Sequence, residues 1–170
     1  MSSTAILVAD WIKRIADDER RRDAARLMED ETAARKADLV RRNGRRLIDE
    51  LRAAVRRDAD AFCAEFVGDP ARQIVVDAAA PNDGFVVNKP APAAVSLTIS
   101  PNLDAAVTRC TYLFTVSHGM PPREDRVDIL FVDDATDALL MKHRGTGQVF
   151  GTADALSEFL LVPVLTGRPR

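Results

Sequence analysis

The sequence predicts an α+β protein: a long N-terminal helix packed on an antiparallel β-meander, with a short C-terminal helix. Three observations carry this. Residues 4 to 66 hold no proline and a single glycine, Gly44. After Pro70 the chain changes to short alternating apolar runs separated by turn residues. The last apolar stretch, after Thr152, has helical rather than strand spacing.

The first segment, residues 1–67, reads as a helical arm. Ala, Arg, Leu, Glu and Asp dominate it, and most of these are good helix formers. Ser2, Ser3 or Thr4 can cap its start, and Gly68 followed by Pro70 ends it. Ile6, Leu7, Trp11, Ile12 and Ile15 make a first apolar stripe, and residues 16 to 36 are thin in large apolar groups apart from Leu27 and Met28. Ala37, Val40, Leu47, Ile48, Leu51, Val55, Phe62 and Phe66 then share an arc of roughly 100° on an ideal helix, which must be buried. Ile48, Leu51, Val55, Phe62 and Phe66 are expected to line the main core against the sheet. An unbroken helix of about 60 residues would be ~90 Å long, more than a chain of this size can cover. It therefore pairs with another copy, in coiled-coil fashion, or breaks. Asn43-Gly44 is the one place for a break. Gly44 also sits on the apolar face, where close approach of another element explains it equally well, and the reading favours a continuous or mildly kinked helix.

Residues 71–170 read as the β domain. Gln73–Ala78 and Phe85–Asn88 are strands around a turn at Pro81-Asn82-Asp83-Gly84. Val95–Ile99 alternates strictly, Pro101–Asp104 turns the chain, and Ala106–Val116 sets Cys110, Tyr112, Phe114 and Val116 on one face. Residues from His118 to Asp125 form a loop, and Arg126–Val132 and Ala138–His143 are further strands. Gly145-Thr146-Gly147 connects to Gln148-Val149-Phe150, and Thr152 caps a helix that Pro163 closes. Such short connections allow only antiparallel neighbours.

Charge argues against a dedicated nucleic-acid-binding domain. There are 15 Lys/Arg and 14 Asp/Glu over residues 1–67, and 9 and 12 over 68–170, for a net charge of −2. Basic residues nevertheless cluster between Arg41 and Arg57. Arg41, Arg45, Arg52 and Arg56 fall within roughly 60° of helix arc beside the apolar stripe. Arginine forks suit phosphates, so these four are the candidate nucleic-acid-binding residues. The opposing reading is that they solvate the helix, cover apolar surface with their stems, or pair with acidic groups of a partner helix. Replacing all four by glutamine is expected to leave the fold intact.

No nucleotide-binding or nucleophile-elbow motif is present, and Gly145-Thr-Gly147-Gln-Val-Phe-Gly151 reads as a hairpin turn rather than an anion cradle. Cys63 and Cys110 lack CxxC spacing and read as free thiols of a reducing cytoplasm. Asp133, Asp134 and Asp137, and Glu124, Asp125 and Asp128, read as turn residues rather than calcium ligands. His118 and His143 are the only side chains of ordinary pKa near 7, and a small enzyme with a site at the His118 loop is the reading they allow. No cofactor, metal or catalytic residue is assigned. The apolar run at Ala5–Ala9 is too short for a signal peptide, and no stretch approaches the ~20 apolar residues of a membrane span, so a soluble cytoplasmic protein is expected. The leading expectation is a non-catalytic interaction or regulatory protein, a homodimer or higher oligomer through its N-terminal helix, which binds a protein partner. A nucleic-acid partner is the alternative.

Overall fold

A computed structural model describes residues 9–115 and 119–170. Ile6, Leu7, Val116 and His118 lie outside the described residues. Helix α1 spans Asp10–Glu65 and passes through Asn43-Gly44 without a break. The reason for glycine is close approach: a Cβ at Gly44 would stand 2.8 Å from Leu103 Cδ2, in the turn after the third strand. The chain divides into two compact units, residues 1–36 and 37–170.

In the first unit, local ion pairs support the helix propensity of α1. Arg20 pairs with Asp17, Arg21 with Asp18 and Arg22 with Glu19 at 2.7, 2.7 and 2.6 Å. In each pair the acid precedes the base, the order that suits the helix dipole.

The second unit joins the rest of α1 to a seven-stranded sheet and helix α2 (Ala153–Thr166). The strands are β1 (Val75–Ala80), β2 (Gly84–Lys89), β3 (Ala94–Asn102), β4 (Val107–Thr115), β5 (Arg123–Asp133), β6 (Leu139–His143) and β7 (Val149–Phe150). They lie in chain order, every pair antiparallel, as an uninterrupted meander. Alternation puts Val95, Leu97 and Ile99 of β3, and Cys110, Tyr112 and Phe114 of β4, on the buried face. They form one apolar cluster with Val40, Ile48, Leu51 and Val55 of α1 and Leu156, Leu160, Leu161 and Val164 of α2. A polar tie also joins the two helices: Ser157 Oγ donates to Asp58 Oδ2 at 2.7 Å, and Arg57 bridges Asp58 and Asp154. No helix among the described residues is long and apolar enough to cross a membrane.

Five expectations change. Phe62 and Phe66 are only half-buried and pack on each other at 5.1 Å, so the deep core ends nearer Ala59. Strand β3 runs through Pro101, which pairs with Thr108, and β5 begins at Arg123, taking in residues read as loop. Strand β1 starts two residues later than read, at Val75. Pro163 does not close α2 but lies inside it, and the helix ends at Gly167, a left-handed cap with φ 68°. A proline there has no N–H for the carbonyl four residues back. Arg170 supplies the missing donor, its Nη2 bonding Phe159 O at 2.5 Å.

Candidate functional site

The arginine face divides by role. Arg52 is the most enclosed of the four. Its Nη2 donates to Asp83 O at 2.7 Å and Gly84 O at 3.3 Å, and its guanidinium lies 5.5 Å from the Phe85 ring centre. Arg45 donates to the same Asp83 carbonyl at 3.2 Å and pairs with Asp49 at 3.1 Å. The carbonyl is accessible because Asn82 and Asp83 take left-handed conformations, φ 59° and 57°, which short polar side chains tolerate. These two arginines staple α1 to the β1–β2 turn. Arg41 is an exposed side chain 3.9 Å from Asp38, and Arg56 has no ion pair among the described residues. The fourfold glutamine variant is therefore not neutral for folding. Arg52→Gln is expected to cost about 1.5–3 kcal/mol, the usual range for hydrogen bonds to a charged group, and Arg41→Gln less than about 0.5 kcal/mol, both read from urea unfolding.

The cysteines and the acidic turn are structural in their surroundings. Cys110 is fully buried, and burial, helped by Asp128, pushes its thiol up to about 12. Cys63 is half-buried and accepts from Ile74 N at 3.4 Å. Asp134 accepts from Thr136 Oγ1, Ala138 N and Thr136 N, which hold its carboxyl below the usual value. Among the described residues, no group of three or more His, Cys, Asp or Glu side chains is placed to hold a metal ion.

Two features stand apart as open surfaces among the described residues. One is the first unit. Trp11, Leu27 and Met28 are 58, 61 and 69% exposed, and Ile12 and Ile15 are also open. The other is a cavity of about 420 Å³ in the second unit, on the core side of β4 and β5 beside α2. Its apolar surface comes from Tyr112, Phe114, Val127, Phe159 and Pro163. Tyr112 and Phe114 stack at 5.7 Å with planes 14° apart. Tyr112 is held as a neutral phenol: burial raises its pKa, and its hydroxyl donates to Leu160 O at 2.7 Å.

Comparison with protein-family models, curated proteins and solved structures finds no match to this chain.

Polar groups meet at the cavity's rim. His143 Nδ1 accepts from the backbone N–H groups of Gly145 and Thr146, both at 2.9 Å. Those bonds are made by the turn that Gly145-Thr146-Gly147 builds between β6 and β7, with Gly147 at φ 75°. They place the ring hydrogen on Nε2. Phe159 meets the imidazole edge-on at 5.5 Å, and the Arg170 guanidinium lies 3.8 Å from the centre of the Phe159 ring. Asp125 also reaches the rim, where Arg123 Nε offsets its charge at 3.3 Å. Sequence reading passed over this assembly, because residues separated by up to 58 positions come together only through the meander and the C-terminal part of α2.

Proposed function

We propose that this is a non-catalytic interaction or regulatory protein that self-associates through the N-terminal part of α1 and presents its β unit to a protein partner. The observation that supports it most is the exposure of Trp11, Ile12, Ile15, Leu27 and Met28 on one helical stretch. Apolar groups of this size on a helix otherwise saturated with charge mark an association surface. Each side chain covered is worth roughly 1.5–3 kcal/mol.

Charge order favours a second copy as the occupant. Residues 10–36 carry as many acidic as basic side chains, in blocks: Arg20, Arg21 and Arg22, then Glu29, Asp30 and Glu31. Two antiparallel copies crossing beside Ala25 set the basic block of each against the acidic block of the other. One patch is then complementary to itself, the requirement of a two-fold interface. A parallel pair in register would set like against like.

The double variant Leu27→Asp, Met28→Asp removes the large exposed apolar groups next to that crossing and leaves the second unit untouched. Sedimentation velocity is expected to show the dissociation constant rise at least tenfold. An unchanged constant would place the association elsewhere.

A further inference from the structure

The cavity beside α2 has the makings of a ligand site that owes nothing to self-association. Its volume, about 420 Å³, lies within the range of small-molecule sites. Its body is aromatic and aliphatic, so an occupant must be largely apolar. Its polar lining comes from Asp125, Arg126, His143, Thr146, Gln148 and Arg170.

His143 contributes a donor. Its Nδ1 is spent on Gly145 N and Thr146 N, which leaves Nε2–H as the group available to an occupant. Arg170 contributes a second donor and a charge. It uses one nitrogen on the Phe159 carbonyl, which Pro163 cannot bond, and lies on the Phe159 ring. That fixes the guanidinium at the rim with other N–H groups unspent, since arginine carries five. The one acidic side chain at the rim, Asp125, is neutralised by Arg123. The balance is a net positive, donor-rich end on an aromatic slot.

We propose that this cavity binds a small aromatic monocarboxylate, its ring between Phe114 and Phe159 and its carboxylate at the His143–Arg170 end. A carboxylate answers both donors at once, and charge-assisted bonds of this type are about twice as strong as neutral ones. A neutral amide of the same shape keeps the ring contacts but loses the charge. An aromatic amine would meet Arg170 as a like charge.

The test uses the full chain with 2-naphthoate and its neutral counterpart 2-naphthamide, followed by amide chemical shifts and by calorimetry. The acid is expected to shift Gly145, Thr146, Gln148 and Phe159 together, and to bind about tenfold more tightly than the amide. Arg170→Gln should remove that tenfold preference. Because Arg170 also completes α2, a second variant guards the result. Gln148→Glu adds a negative charge at the exposed rim, and should weaken the acid about tenfold without affecting the amide. The proposal is overturned if millimolar naphthoate leaves these four amides unmoved, if acid and amide bind alike, or if Gln148→Glu weakens both probes equally.

Discussion

Phe85→Ala is expected to lower the unfolding free energy by about 3–5 kcal/mol, the range for a fully buried ring. Phe85 is completely inaccessible and is the second residue of β2, opposite Ile99. The upper part of the range applies because the site has little room to collapse. Its neighbour Gly84 lies so close to β3 that an added Cβ would stand 1.9 Å from Ile99 O. From the other side the ring carries the Arg52 guanidinium, itself tied to Asp83 and Gly84. Urea unfolding followed by circular dichroism reads the loss. Leu113→Ala, on the exposed face of β4, is the comparison and should cost under about 1 kcal/mol. A Phe85→Ala loss below about 1 kcal/mol would mean that the helix-to-sheet seam is not the core.

The second large effect concerns association. Replacing Arg20, Arg21 and Arg22 by glutamate sets acidic blocks against acidic blocks in the antiparallel pair. Replacing Glu29, Asp30 and Glu31 by lysine does the reverse. Like-charge juxtaposition costs several kcal/mol, so each triple variant alone should weaken self-association a hundredfold or more. Mixed one to one, the two should recover a complex, since each basic block again meets an acidic one. The gain should shrink with added salt, because the charges are exposed. Recovery that fails on mixing, with both variants folded, would show that these blocks do not face each other.

Much of the fold was legible because each strand carried its own signal. Val95–Ile99 and Cys110–Phe114 alternate, and Pro, Asn, Asp and Gly mark the turns between strands. Thr152 capped α2 as read, accepting from Ala155 N at 3.1 Å. Failures came where a tertiary contact overrode a local rule. Pro163 stays within α2 because Arg170 satisfies the orphaned carbonyl. Pro101 stays within β3, paired with Thr108. Gly44 allowed two readings, a break or close approach on a continuous helix, and the second is the one found, with Leu103 against it. Of the candidate arginines, helix geometry grouped Arg41, Arg45, Arg52 and Arg56 on one side, but could not tell which two reach the Asp83 carbonyl. The cavity had no local signature at all. His143 read as a strand end and Arg170 carried no signal of its own, and only their meeting at Phe159 joins them.

Sedimentation equilibrium of the unmodified chain at micromolar concentration tests the central claim most directly. Self-association through α1 predicts a mass of twice the chain's 18.6 kDa or a higher multiple, falling towards the single-chain mass on dilution. A mass that stays at 18.6 kDa across the concentration range would contradict it.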